Sequence, residues 1–580
     1  MENSADDNEK VMSKPLLEDY HGSSGKGGFR TMPFILANES FEQVASYGLQ
    51  PNMILYLTRE YNLKMATGSN ILFFWSAATN FMPLLGAVVA DSFVGRFQMI
   101  LFGCVFSLLG MTLLWLTTMI PLARPRPCDE SNYNCSSATS FQLFLLCSCF
   151  GLMSIGSGGI RSSSLAFGAD QLKKAGSHKN GWVLERYFSW YYASCTLSVL
   201  IALTCIIYVQ DNLGWKVGFG IPVVLMFIST LSFSLASPFY VKLKVKSSLI
   251  LEMLQVAVAS FRKRQTEISM ESSNMLYHHQ NGSLILPSEK LRFLNKACII
   301  LDPEKDLTTD GRAADPWSLC TVNQVEDLKT LLKVIPLWST GMIMSVNISQ
   351  NSFSVLQANS MNRKFGPNFE LPAGSFGMFT IISAILWIAL YDRIILSIAS
   401  RIMGKPVHLS TRKRMGLGLL LSVVSMIVTA AVEAKRRSLA ISEGYSDDSE
   451  AVVDMSAIWL LPQYCLIGFA EGASVVAQNE FYYSEFPQSM SSIASTLCSL
   501  GMSVANLIAS FLMNTIDEFS KRGGKESWIS TNINKGHYDY YYCVLASLSM
   551  LNVIYFLICS KAYGPSKEDK KGITLHDEED

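Results

Sequence analysis

Stretches of about 20 predominantly apolar residues, the length that crosses a bilayer as a helix, recur along the chain with short polar breaks between them. They fall at 31–57, 69–90, 98–121, 140–167, 188–209, 216–238, 328–358, 373–395, 412–436, 455–481, 489–515 and 536–561. A polar stretch at 239–327 divides these twelve into six and six. The pattern predicts an all-α membrane protein of twelve transmembrane helices in two six-helix bundles. Its expected organisation is a disordered cytoplasmic N-terminus (1–30), an N-terminal bundle (31–238), a cytoplasmic central linker (239–327), a C-terminal bundle (328–561) and a cytoplasmic tail (562–580).

Orientation follows from Lys and Arg close to span ends, which stay on the cytoplasmic side. Lys242, Lys244, Lys246, Arg262, Lys263 and Arg264 follow the sixth span, and Arg401, Lys405, Arg412, Lys413 and Arg414 lie between the eighth and ninth. Both places are then cytoplasmic, with both termini. Lys435, Arg436 and Arg437 run against this rule, because the same topology puts them outside. The first thirty residues lack a short apolar core ahead of a small-residue cleavage site, so the first span is expected to serve as the insertion signal.

Composition agrees with the pattern. Of 580 residues, 49% are hydrophobic and 16% charged, and the mean hydropathy is +0.25, too little charge to clothe several soluble domains. A formal net charge of zero argues against a nucleic-acid partner, since phosphate recognition needs a basic surface. The thirteen cysteines are scattered, mostly in apolar runs, without the paired spacing of a zinc site. No metal or other cofactor is expected. Cys128 and Cys135 share a Pro-rich polar loop on the outer side, either as a disulfide or as two free thiols.

Against this background, charges inside the spans stand out. Glu39 and Glu42 lie in the first, where an acidic side chain costs roughly 3 kcal/mol at a helix centre unless it faces protein or a water-filled path. They are one turn apart, and Gln43 and Ser46 fall near the same line, so the polar residues form one stripe. Such a pair reads as a proton-binding site, with a salt bridge locking two helices as the alternative. Arg161, in "SIGSGGIRSSS" of the fourth span, needs a carboxylate, an anionic ligand or an escape to the interface. The glycines before it follow no strand and precede no Gly-Lys-Ser, so they read as close helix packing rather than a phosphate cradle. Glu471 is a further acid inside the tenth span, and none of the seven histidines falls at mid-membrane depth. Asp91 and Arg96 after span two, and Asp392 and Arg393 after span eight, repeat an acid–base pair in the two halves and read as conformational charge pairs.

The motifs "GAVVADSFVGR", "SIGSGGIR", "AFGADQ", "NSFSVLQANSM", "GSFGMFTII" and "EFYYSEFPQSMSS" resemble those of the plant nitrate and peptide transporter family. That family is the plant branch of the proton-coupled oligopeptide transporters, of the major facilitator fold. The resemblance covers essentially all of 30–565, and "NESFEQVASYGLQPNMILYL" is similar to the first subfamily. It implies an ExxE motif followed by Lys or Arg on the first helix, a basic residue on the fourth and a glutamate on the tenth. These positions read Glu39, Glu42 and Gln43, then Arg161, then Glu471, so Gln43 replaces the cation that the family ties to proton coupling. The histidine that binds nitrate in the best-known plant member would fall at Asn347, which can donate a hydrogen bond but carries no charge.

The expected function is secondary active transport without enzymatic chemistry: low-affinity, proton-coupled movement of nitrate across a membrane, the plasma membrane being favoured, by alternating access. Glu39 and Glu42 would couple protons, and Arg161, Asn347 and Glu471 would bind the anion. The alternatives are an uncoupled or weakly coupled carrier of organic acids such as plant hormones, and a nutrient sensor with vestigial transport.

Overall fold

The computed structural model describes residues 27–125, 137–172, 180–242, 249–265, 277–279, 286–308, 311–367, 369–403, 409–487 and 490–564. Among these, ten helices are long and apolar enough to cross a membrane. One of the ten, Val183–Leu235, holds two spans, because the backbone leaves helical geometry at Gly214 (φ 79°, ψ 172°). The first span, broken and rich in polar side chains, completes the twelve in the order read from the sequence.

The chain divides into two compact units. One comprises Met1–Leu63 and Phe81–Val245, the other Lys64–Asn80 and Lys246–Asp580. In the first unit, α1 (Met32–Leu49) and α2 (Met53–Arg59) form the first span. The predicted single helix is interrupted at Gln50–Asn52 because Pro51 has no N–H to continue the ladder. α7 (Ile207–Leu235) satisfies the break: Gln210 donates to the Gly48 carbonyl at 2.9 Å and accepts from Asn52 Nδ2 at 3.2 Å.

α3 (Met65–Val89), with Pro83 inside it, runs into a π-helical turn, Ala90–Val94, and Gly95 (φ 87°) opens α4 (Arg96–Met119). α5 (Ser140–Leu172) follows. Its glycines are there for close approach: a Cβ on Gly156 would lie 2.2 Å from Ser107 Oγ, and one on Gly158 would lie 2.4 Å from Met82 Cβ. α6 (Asn180–Ile201) continues through a second π-turn, Ala202–Ile206, into α7.

In the second unit, α8 (Leu249–Arg262) buries Met253, Val256 and Ala259 from one face against Leu294, Ala297, Cys298, Val322 and Val325. The described part of the central linker is therefore a folded cap. Lys263 Nζ donates to the Ile299 carbonyl at 2.7 Å, and Arg262 pairs with Asp315 at 3.1 Å. Burial holds the Lys263 pKa below its usual value. The seventh span starts earlier than the apolar pattern predicts. A capping box on Thr321 and Gln324 opens α9 (Val322–Ile348), and α10 (Asn351–Asn359) completes the span after a short break.

α11 (Gly377–Leu390), a third π-turn at Tyr391–Ile395 and α12 (Leu396–Met403) follow. α13 (Thr411–Ser442), α14 (Leu461–Glu485), α15 (Ser491–Ser520) and α16 (Tyr538–Tyr563) complete the unit. The start of α3 is held to α15 by Asn70, whose Oδ1 accepts from Ser510 at 2.6 Å and whose Nδ2 donates to Asn514 Oδ1 at 2.5 Å.

Of the Lys435–Arg437 cluster that ran against the orientation rule, Arg436 is internal, Arg437 half-buried and Lys435 exposed. Arg436 is fully buried and pairs with the equally buried Glu433 one turn earlier, Nη2 to Oε1 at 2.7 Å and Nε to Oε2 at 2.9 Å. Its Nη1 also donates to Asn534 at 2.7 Å, while Gln357 on α10 donates to Glu433 at 2.9 Å. Arg437 donates to the Gly536 carbonyl. A cation neutralised within the fold does not act as a free topogenic charge.

Candidate functional site

The polar stripe predicted on α1 exists, and it faces α5 and α6. Glu39 and Glu42 are both buried. Arg161 on α5 reaches Glu42 with two donors on one edge of its guanidinium, Nε to Oε2 at 3.3 Å and Nη2 to Oε1 at 3.4 Å. Ser46 donates to Glu42 Oε1 at 2.6 Å, and the other face of the guanidinium lies over the Tyr47 ring, 5.3 Å from its centroid. The Arg161 side chain keeps 20% of its exposure, whereas Glu42 keeps none. Ion-pair hydrogen bonds usually measure about 2.7–2.9 Å. The Arg161–Glu42 pair is looser than that, and its cation is the accessible partner.

Glu39 is held differently. Gln43 Nε2 donates to Glu39 Oε1 at 3.1 Å, so the residue at the family's cation position makes a neutral hydrogen bond instead. Glu39 Oε2 is buried without a hydrogen-bond partner. The two carboxyls predicted as one proton-handling pair are therefore unequal: one has a cation, the other an amide.

Arg96 opens α4 between two carboxylates, Asp91 at 3.2 Å and Asp170 of α5 at 2.6 Å. The sequence reading paired Arg96 with Asp91 alone and missed Asp170, although "AFGADQ" places that acid at the end of the adjacent span. Arg393 is exposed on the π-turn, and the same helix-start to helix-end geometry is made by Arg414 of α13 and Glu480 of α14 at 2.5 Å. The Arg414 guanidinium also lies over the Tyr391 ring, 4.8 Å from its centroid. Asp392 lies within that π-turn.

Asn347 does not present a donor to an anion. It is 4% exposed, and its amide donates to Ser422 of α13 and Ser549 of α16, each at 2.8 Å. Both amide hydrogens are spent on tying three helices together, which corrects the binding role expected for it. Glu471 lies midway along α14, partly accessible, and among the described residues it has no hydrogen-bond or ion-pair partner. Cys128 and Cys135 lie outside the described residues.

Twelve spanning helices, with a partly accessible guanidinium and two buried carboxylates inside the first unit, define a secondary transporter rather than an enzyme. The model of the POT family (PTR2) matches residues 97–529, and the chain belongs to that family of proton-coupled transporters of small substrates. It is 55% identical over 556 residues to Protein NRT1/PTR FAMILY 1.2 of Arabidopsis thaliana, covering 95% of this chain and 92% of that one. It is 54% identical over 573 residues to Protein NRT1/PTR FAMILY 1.1 of the same plant, covering 98% and 96%. The fold is similar to that of the POT family transporter PepTSo, with TM-score 0.65 at 18% identity over 92% of this chain and 98% of that one. A POT family transporter solved with 5-aminolevulinic acid gives TM-score 0.61 at 15% identity over 93% and 99%.

Proposed function

We propose that the protein carries a small anion, nitrate in the leading reading, together with protons across the plasma membrane by alternating access, with low affinity. The observation that supports this is the Arg161–Glu42 pair. It offers a charged donor that is partly accessible and loosely held, so an anion can take over the guanidinium as Glu42 accepts a proton. Exchange of one negative partner for another keeps the cation compensated throughout, which the low dielectric of the protein interior requires. Glu39 and Glu42 are the proton-handling groups. Asp91, Arg96 and Asp170 form a conformational charge set at the cytoplasmic end.

A second reading keeps the fold and makes the cargo an organic carboxylate, such as a plant hormone. The Tyr47 ring against Arg161 favours it, since an aromatic face beside a guanidinium suits an extended anion. Uptake in oocytes of nitrate, chloride, a dipeptide and a carboxylate hormone, each at two external pH values, separates the two. The leading reading expects nitrate uptake that saturates weakly and rises as external pH falls. Uptake of the hormone alone, unaffected by pH, would replace it with the second.

A further inference from the structure

The cap formed by the central linker carries a surface that transport does not use. α8 is apolar on two sides. Met253, Val256 and Ala259 are buried in the cap, while Leu254 and Phe261, two turns apart on another face, are exposed, Phe261 at 67%. Leu291 and Phe293, the latter 56% exposed, add a second apolar pair at the start of the short helix Arg292–Asn295. The two pairs are joined, since Ser260 Oγ donates to the Phe293 carbonyl at 2.8 Å. Leu291 stands in the left-handed region (φ 51°, ψ 48°), which a leucine adopts only where its surroundings hold it there. They do: the Ser288 N–H donates to Glu326 of α9 at 2.8 Å, and Lys329 and Asn295 donate to the Ser288 carbonyl at 2.8 and 3.2 Å.

Cations frame this apolar surface. The Arg264 guanidinium lies over the Phe261 ring, 4.5 Å from its centroid, and Lys296 Nζ is held on the Arg264 carbonyl at 2.7 Å. Lys290 and Arg292 are exposed on either side of Leu291 in the chain, with Glu289 paired to Arg292. The surface also sits at a defined depth. α8 packs against α9 and shares one core with Val322 and Val325 of its first turn, and α9 belongs to a spanning segment. That first turn precedes the apolar run starting at 328 by about 5–9 Å of helix, within the headgroup region that flanks the hydrocarbon.

We propose that this face of the cap is a lipid-docking surface: Leu254, Phe261, Leu291 and Phe293 enter the headgroup layer of the bilayer that the spans cross, and Arg264, Lys296, Lys290 and Arg292 bind its anionic phospholipids. An exposed apolar patch set among cations suits an anionic membrane, which buries the hydrocarbon and pairs the charge in one contact. In the orientation read from Lys and Arg the leaflet concerned is the cytoplasmic one, where anionic lipids give a negative surface potential. The inference is independent of which substrate the transporter carries.

The test uses the full-length protein in nanodiscs of phosphatidylcholine alone, or of equal parts phosphatidylcholine and phosphatidylserine, with photoreactive p-benzoylphenylalanine in place of Phe261, of Phe293 or of Leu301. Leu301 is the control: it is exposed on the same cap, but its N–H and that of Asp302 donate to Asp306, so acids surround it. After illumination, mass spectrometry of the linker peptides should find phospholipid adducts at 261 and 293, enriched in phosphatidylserine, and far fewer at 301. Arg264→Gln combined with Lys296→Gln should remove the enrichment, since each cation near an anionic surface changes local affinity about fivefold. High salt, which screens the same charges in the unaltered protein, should do likewise. Adducts to another part of this chain or to a second copy would make the face a protein contact and overturn the inference. So would the absence of lipid adducts, equal lipid labelling at all three positions, or labelling at 261 and 293 indifferent to phosphatidylserine.

Discussion

Arg161 meets Glu42 at 3.3 and 3.4 Å, while Arg436 meets Glu433 at 2.7 and 2.9 Å. Both pairs are carboxylate–guanidinium contacts inside spanning segments, and the difference in geometry assigns them different work. The tight pair is fully buried and saturated by Asn534, Gln357 and the Ile533 carbonyl. It is a lock. The loose pair keeps its cation accessible, as the proposed exchange of Glu42 for an anion requires.

Arg161→Ala should therefore abolish anion uptake while leaving surface expression largely intact, because Glu42 can take up a proton once its cation is gone. Arg161→Lys should be impaired but measurable: the charge survives, but the two-donor contact with Glu42 and the placement of the guanidinium over Tyr47 do not. Uptake and surface biotinylation on the same cells check both. Normal uptake by the Ala variant would place the anion elsewhere.

Loss of the lock should act on stability instead. Arg436→Met strands a buried carboxylate, a change that costs about 3–5 kcal/mol when one member of a buried pair is removed. The expected outcome is a lower melting temperature in detergent and less protein at the surface. Replacing both partners, Glu433→Leu with Arg436→Met, should recover part of the loss, since no unpaired charge remains. A single variant that melts like the natural protein would show that Glu433 finds compensation the geometry does not reveal.

The Arg96 set makes a graded prediction. Asp170 is nearly buried and lies 2.6 Å from Arg96, whereas Asp91 is a third exposed and lies 3.2 Å away. Exposed ion pairs contribute about 0–1 kcal/mol, buried ones several times more when broken. Asp170→Asn should reduce maximal uptake severalfold at equal surface level, and Asp91→Asn should reduce it less. Equal effects would mean that the charge cluster acts as a whole and burial is irrelevant to it.

Most of this architecture was readable in advance, for a physical reason. A bilayer imposes length and apolarity on each span, so the twelve segments were visible as composition, and the cost of charge inside them made Glu39, Glu42 and Arg161 conspicuous. What the sequence could not show was pairing. That Arg161 takes Glu42 and leaves Glu39 to Gln43 depends on the depth at which α5 crosses α1. Asn347 looked like an available donor because nothing in its neighbours along the chain reveals Ser422 and Ser549, which arrive from two other helices. Arg414 and Glu480 make the helix-start to helix-end pair of the second unit although they lie far apart in sequence. Within the basic cluster at 435–437, Arg436 finds its partner Glu433 on the buried side of its own helix.

In the proposed mechanism the α1 carboxyls and Arg161 couple protons to substrate movement, with position 43 setting how strongly. Substrate-evoked current against external pH in the natural protein, Gln43→Lys and Glu42→Gln tests it most directly. A lysine at position 43 puts a cation where an amide now donates to Glu39 at 3.1 Å, so the dependence of current on the pH gradient should become steeper. Glu42→Gln removes the partner that Arg161 exchanges for substrate in the proposed mechanism, and whatever pH dependence the natural protein has should vanish. A natural protein already steeply proton-driven, with Gln43→Lys changing nothing, would contradict the role of position 43. A Glu42→Gln protein with an unchanged profile would contradict the whole account and make the carboxylates a structural lock.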